Sequence, residues 1–261
     1  MLKQKEWSAS LDTKYSKADI LTITESSTNL DPQEINELYT LLKKYESLFD
    51  GNLGTGHGNP YDIKLKTDAE PYHVKHLPVP RIHELTFKQE LDRLEYLKVI
   101  QKVNRSQWGA LIFLIPKKDS TVRFISDFRE LRKHILCQLY PIPKIQDLLL
   151  RIEGFCYGTR FDLNMGYYHI ELSDNLKELC TIVTQWGNYE YQQLPMGLFN
   201  SPDIFQENMS ELFIGLDTVR VYIDDLLHVT KGSCTEHLSI LKEMFTRFQK
   251  AGIKDNVSKY C

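Results

Sequence analysis

Val219-Arg220-Val221-Tyr222-Ile223-Asp224-Asp225-Leu226-Leu227-His228-Val229 sets two adjacent aspartates between two apolar runs. The Val, Ile and Leu on either side predict two strands of a hairpin, with the carboxylates at or near its turn. A hairpin of this size turns most readily on Asn-Gly or Asp-Gly, whose backbones accept positive φ. Neighbouring carboxylates instead repel each other, and flanking apolar strands aggravate the repulsion. A divalent cation removes the conflict, because Mg²⁺ binds carboxylate oxygens and completes its octahedron with phosphate and water. A solvated Asp-Asp turn is the plain alternative, and this stretch alone does not separate the two.

Upstream, Arg160-Phe161-Asp162-Leu163 ends another apolar run in a carboxylate whose one local basic neighbour is Arg160. If that strand lies beside the hairpin, Asp162, Asp224 and Asp225 converge. Two metals about 3.5–4 Å apart could then clamp the attacking and leaving oxygens of an in-line phosphoryl displacement. Otherwise Asp162 caps a strand end. Phosphate also needs cations. Lys117 and Lys118 fall on the turn of a hairpin expected over 110–128, and Arg123 opens its returning strand. Together they offer point charges and a bidentate fork to a triphosphate, or else they keep a sheet edge soluble.

The 261 residues suffice for one large domain or two small ones, and 42% hydrophobic with 26% charged residues is ordinary for a globular protein. No apolar run reaches the length of a membrane span, and the polar start lacks the apolar middle of a signal peptide. The five cysteines form no Cys-x-x-Cys pair, which argues against zinc and a disulfide framework and for a reducing compartment. Net charge is −3, yet residues 71–134 hold 13 Lys and Arg against 7 Asp and Glu. A basic segment beside an acidic centre suits phosphate held near metal-bound carboxylates; ordinary surface clustering gives the same count.

Residues 1–30 are polar and aperiodic, and read as a linker or loosely held tail. Asp31, Pro32 and Glu34 signal a capped helix with Ile35, Leu38, Leu41 and Leu42 on its apolar stripe. The glycine-rich loop 51–59 is expected to be mobile, with His57 lacking partners. A short strand is expected over 61–66, a helix from Thr86, strands over 110–115 and 122–128, and a helix over 142–152. Further strands are expected over 159–162 and 168–172, and a hairpin over 181–194 turning on Gly187-Asn188. Ser201 should cap a helix, and a final one should run from near Thr235 to Gly252. The class is α+β around an antiparallel sheet.

Ser106-Gln107-Trp108-Gly109-Ala110, Pro116-Lys117-Lys118-Asp119, Arg123 to Leu131 and Tyr140-Pro141-Ile142-Pro143 follow one another in a set order. Phe161-Asp162-Leu163, Gly166-Tyr167, Leu194-Pro195-Met196-Gly197-Leu198, Ser201-Pro202, Phe205-Gln206 and Tyr222-Ile223-Asp224-Asp225 complete it. In that order and spacing, residues 31–261 resemble the reverse transcriptase of a gypsy-class LTR retrotransposon Pol polyprotein. The resemblance implies a right-hand polymerase with an antiparallel palm sheet, packed helices and a fingers subdomain. Residues 106–261 would be fingers and palm, and 31–105 a helical lead-in.

It further implies RNA-directed DNA polymerase activity, with Asp162, Asp224 and Asp225 as ligands of two Mg²⁺ ions, for which Mn²⁺ can substitute. Lys117, Lys118, Arg123, Leu163, Tyr167 and Met196 would meet the dNTP, Tyr167 as the gate against a ribose 2′-OH. Trp108, Gln206 and Tyr222 would serve the template and primer, an RNA or DNA strand pair, and Gln206 with the helix from Ser201 would also support the palm. The work would be intracellular, in cytoplasm, virus-like particle or nucleus, with no membrane partner.

A catalytically silent remnant that binds nucleic acid or serves assembly is the alternative. Arg132 and Cys180-Thr181-Ile182 depart from the family's pattern, the latter with an expected loosening of the sheet. Ser258-Lys259-Tyr260-Cys261 resembles the family's Lys-Cys element with one residue inserted. The chain is expected to lack a thumb, which a partner chain would then supply.

Overall fold

The computed structural model describes residues 18–27, 29–116, 122–136, 140–150, 153–163 and 166–255; the side chains of residues 116, 122, 123, 149, 150 and 162 also lie outside the description. In chain order come α1 (Ile20–Glu25), α2 (Pro32–Lys44), a 3₁₀ turn (Glu46–Phe49), α3 (Arg81–Tyr96), β1 (Ile100–Val103), β2 (Ala110–Pro116) and β3 (Val122–Asp127). There follow α4 (Arg129–His134), α5 (Ile145–Leu150), β4 (Tyr157–Asp162), a second 3₁₀ turn (Gly166–His169), α6 (Asp174–Leu179), β5 (Thr181–Thr184) and β6 (Gly187–Tyr191). The last are α7 (Ser201–Leu212), β7 (Val219–Tyr222), β8 (Asp225–Thr230) and α8 (Cys234–Ala251). The described residues fall into two units, one within 59–138 and 170–201, the other within 15–58, 139–169 and 202–261.

The first unit is built on a sheet of order β1-β6-β5-β2-β3, antiparallel except where β5 runs parallel to β2. Interior strand β5 is buried along its whole length, as a strand covered on both faces can be without alternating; the apolar run Ala110–Ile115 beside it forms β2, buried at Ala110 and Ile112. Thr181 is fully buried, but its hydroxyl donates to Glu178 O at 2.7 Å and to Ser106 Oγ at 3.0 Å. Cys180 and Ile182 beside it, with which it departs from the family's pattern, are equally buried, and β5 keeps its pairing with β2 and β6. Arg132, the other departure, lays its guanidinium 3.5 Å from the centroid of the Phe199 ring, a cation–π contact.

The second unit holds an antiparallel sheet of order β4-β8-β7. Its core is aromatic. Phe245 of α8 packs on Tyr45, Phe49 and Phe161, and Phe248 on Phe161 and Phe213. Burying such rings dominates core energetics, at roughly 2–3 kcal/mol each. Local signals fix the helix ends. Asp31 and Glu34 form a reciprocal capping box on α2, and Gly252, at φ +67°, ends α8 in the left-handed region.

Several expectations yield to tertiary contacts. Helix α1, capped by Asp19, lies within the stretch read as a polar tail. The loop 51–59 is not free: His57 N–H donates to Ala251 O (2.9 Å), its Nδ1 meets Lys250 O (3.0 Å), and Gly54 N–H donates to His169 Nε2 (3.3 Å). A Cβ on Gly54 would come 2.1 Å from Gly252 O, and one on Gly56 1.7 Å from His169 O. These glycines permit close backbone approach rather than motion.

The stretch 61–66 forms only isolated bridges, at Tyr61 and Leu65. Helix α3 starts at Arg81 after Pro80, and Thr86 is a buried interior residue. The expected strand over 168–172 is replaced in part by the second 3₁₀ turn. The 181–191 hairpin turns on Gln185-Trp186, and Ser201 is the first helical residue of α7 rather than its cap.

Candidate active site

Strands β7 and β8 pair Tyr222 with Asp225, leaving Ile223 and Asp224 as a two-residue turn. Both aspartates are therefore displayed at one end of the sheet by local chain geometry. Ile223 has φ +52°; among the described residues the only other non-glycine at positive φ is Lys98. A β-branched side chain there is a genuine outlier, at a cost of about 1–3 kcal/mol.

Two contacts hold the turn. Gln206 Oε1 accepts the Ile223 N–H at 2.7 Å, and the Leu163 N–H donates to Asp224 O at 2.9 Å. The second bond ties the turn to β4, whose last residue, Asp162, pairs in register with Asp225. The backbones of Asp162 and Asp225 are thus direct cross-strand neighbours, as a shared site requires. The side chain of Asp162 lies outside the described residues, and among those described no three His, Cys, Asp or Glu side chains are grouped to hold a metal.

Asp225 is half-exposed, and its Oδ1 takes the Arg160 guanidinium, from Nη2 at 2.9 Å and from Nε at 3.2 Å. Arg160 was legible as a local cation beside Asp162; its reach across to Asp225 was not. Two accessible carboxylates on adjacent residues form an oxygen-only donor set of the kind hard divalent cations take.

Tyr167 lies in the second 3₁₀ turn, 9% exposed, with its ring 4.9 Å from that of Phe205. Burial, and secondarily the negative charge of Asp224, hold its hydroxyl well above the usual phenol range. Gly166 lets this turn sit on α7, since a Cβ there would come 2.5 Å from the Phe205 ring. His169 closes the turn. Its Nδ1 meets Gly166 O at 3.1 Å while its Nε2 accepts from Gly54 N–H and Lys254 N–H, so the neutral ring satisfies three backbone groups. Burial pulls its pKa down to about 4.

Gln206, expected against the template, is 1% exposed. Leu163 is equally buried, and Tyr222 is half-buried. In the first unit Trp108 is buried edge-on to His134, and Met196 is 45% exposed. Gly197 presents that methionine by packing against β3, where a Cβ would come 2.3 Å from Ser126 O. Lys117 and Lys118 and the side chain of Arg123 lie outside the described residues; the Arg123 backbone pairs with Ile115 in the β2–β3 ladder. Sequence reasoning missed His169 altogether and the particular backbone partners of Gln206, since both depend on residues distant along the chain.

Residues 115–261 match the protein family described as reverse transcriptase (RNA-dependent DNA polymerase). An uncharacterized protein of Caenorhabditis elegans is 30% identical over 230 residues, covering 87% of this chain and 18% of that protein. The retrovirus-related Pol polyprotein from transposon 297 of Drosophila melanogaster is 27% identical, covering 88% of this chain and 22% of the relative. The chain thus spans about a fifth of the length of these curated relatives.

Among solved structures, the native prototype foamy virus protease–reverse transcriptase superposes with a TM-score of 0.82 at 24% identity, covering 95% of this chain and 34% of that one. The foamy viral protease–reverse transcriptase in complex with an RNA/DNA hybrid gives 0.84 at 22% identity, covering 94% and 34%. These two likenesses establish the polymerase fold.

Proposed function

The chain belongs to the reverse transcriptase (RNA-dependent DNA polymerase) family, and from that premise we propose that it is an RNA-directed DNA polymerase core. It adds dNTPs to a primer 3′-OH. The observation that carries this reading is the acidic turn, with Asp224 and Asp225 at its tip and Asp162 in register beside them. Every residue given a role lies within 106–261, the stretch assigned to fingers and palm.

Asp162, Asp224 and Asp225 would hold two Mg²⁺ ions, or Mn²⁺ in their place. When bound, these supply a lowered pKa at the attacking hydroxyl and charge stabilisation on the departing pyrophosphate. The chain's own residues do the rest. Arg160 compensates Asp225 in the metal-free protein, which limits repulsion across the turn. Tyr167, wedged on Phe205 next to the charge of Asp224, forms the wall against which a ribose 2′-OH would clash. Lys117, Lys118 and Arg123 bind the triphosphate, Arg123 as a bidentate fork.

Met196 offers an exposed apolar platform to the nucleotide. Leu163 holds the acidic turn through its N–H bond to Asp224 O. Template sequence is read by base pairing, so a contact from half-buried Tyr222 serves backbone and shape, while Trp108, buried against His134, supports its own sheet instead. An RNA/DNA hybrid, found on the foamy viral neighbour, is the substrate class proposed here, and the work takes place inside the cell.

A labelled DNA primer annealed to RNA, incubated with the chain, dNTPs and Mg²⁺, should lengthen, and chelation should stop it. A chain that binds the hybrid yet leaves the primer unextended in Mg²⁺ and in Mn²⁺ would defeat the proposal.

A further inference from the structure

The carboxamide of Gln206 has both its ends engaged. Its Oε1 accepts from Ile223 N–H at 2.7 Å, while Nε2 donates to Val221 O at 3.2 Å and to Ser210 Oγ, one helical turn along α7, at 3.1 Å. Val221 C=O lies on the side of β7, an edge strand of the described β4-β8-β7 sheet, that does not pair with β8, and Ile223 N–H follows just past the end of that strand. A neighbouring strand would normally pair with such an i, i+2 set. Here one side-chain amide takes that place. It does so at the residue whose backbone is strained, Ile223 at φ +52°, and from a side chain that is itself buried, Gln206 being 1% exposed.

We infer that Gln206 is a positioning residue for the metal-holding aspartates, clamping the strained Ile223-Asp224 turn from α7 while Leu163 N–H clamps it from β4. The inference rests on the polymerase reading above. Asp224 lies between the two clamps: the peptide N–H one residue before it belongs to Gln206, and its own C=O to Leu163. Without Gln206 the N–H of Ile223 loses its partner and the left-handed backbone loses what holds it. Asp224 then samples orientations that no longer match Asp225. Partners that orient metal ligands typically account for about 10–100-fold in metal affinity, so the loss should appear in metal binding before it appears in nucleic-acid binding.

The test replaces Gln206 by Met, close in shape but without the amide, and by Asn, which keeps the amide one methylene short of the turn. Three measurements are made on the full chain: Mn²⁺ binding by water-proton relaxation without nucleotide, hydrogen exchange at the Ile223 amide, and the Mg²⁺ dependence of primer extension. Expected for either folded variant are faster Ile223 exchange, Mn²⁺ affinity lowered about tenfold or more, and a matching rise in the Mg²⁺ needed for half-maximal extension. Primer–template affinity should stay within about twofold of the parent, since no nucleic-acid contact is removed.

The Asn variant carries the test if Met does not fold. Should neither fold, the Ile223 amide of the parent is read alone, and rapid exchange there would overturn the clamp. Unchanged Mn²⁺ affinity in a folded variant would overturn the inference outright. If the parent binds Mn²⁺ through this turn and Gln206→Met weakens it while neither extends a primer, the clamp stands and the polymerase reading falls.

Discussion

The hairpins β5–β6 and β7–β8 are each closed by two residues, Gln185-Trp186 and Ile223-Asp224, and they handle the sharp reversal differently. In the first, positive φ falls on Gly187 (+126°), and Thr184 completes the turn from within, accepting from Trp186 N–H and donating to Gly187 O. In the second, positive φ falls on an isoleucine, and the bracing side chain comes from another element, Gln206 of α7. A turn that only joins strands can be self-contained. One that must hold two carboxylates still keeps a strained residue and has its surroundings over-determine it.

Acid should break the comparison most strongly. The neutral His169 ring holds backbone of the second unit, and His237 sits between the hydroxyls of Thr159 and Thr230, stacked on His228 in β8. Burial pulls His169 down to about 4 and, with the charge of His228, His237 to about 3. An unfolded histidine titrates near 6.5, so between that value and the folded ones the unfolded chain binds more protons. The stabilisation is therefore complete above pH 6.5 and is lost as pH falls toward 4 for His169 and 3 for His237. At pH 5 this loss amounts to roughly 2 kcal/mol for His169, and His237 adds to it in the same direction. Hydrogen exchange at pH 7 and pH 5 should show β8 amides losing protection before those of β6; equal loss would remove the histidines from the account.

A smaller effect is expected beside the strained turn. Tyr167→Val should lower discrimination against ribonucleotides by about tenfold or more, as measured by competing dNTP and rNTP incorporation, with dNTP use only modestly reduced. Unchanged discrimination would return Tyr167 to the core.

The smallest effects sharpen the comparison directly. Gly187→Ala imposes a Cβ on φ +126° and should destabilise by about 1–2 kcal/mol. Ile223→Gly relieves strain but frees the unfolded chain and removes packing, so its effect on stability should lie within about 1 kcal/mol of zero. Urea unfolding of both variants decides; a larger loss for Ile223→Gly would mean that the turn is not strained.

Much of this fold was legible because its signals are local. Asp31, Pro32 and Glu34 lie within one helical turn, and the Asp224-Asp225 pair sits between its own two strands. Features that depend on distant partners were not. Tyr168 and His169 read as the start of a strand until His169 is seen to take bonds from Gly54 and Lys254, 115 and 85 residues away. Helix α3 begins five residues before Thr86, and that start was hidden because the exposed Ile82 and Leu85 near it mask the amphipathic period. Gln206 announced a polar residue on an apolar helix. Its partners at Val221 and Ile223 follow only from the packing of α7 against β7.

The central claim is that the acidic turn is the chemical centre. It is tested most directly by single-nucleotide incorporation on an RNA template in Mg²⁺, comparing the parent with Asp224→Asn at matched folded fractions from thermal melts. Asn keeps the shape of the turn and removes one ligand charge. The account predicts incorporation at least about 100-fold slower with the melt unchanged or slightly raised. Incorporation at the parental rate by the folded variant would contradict it.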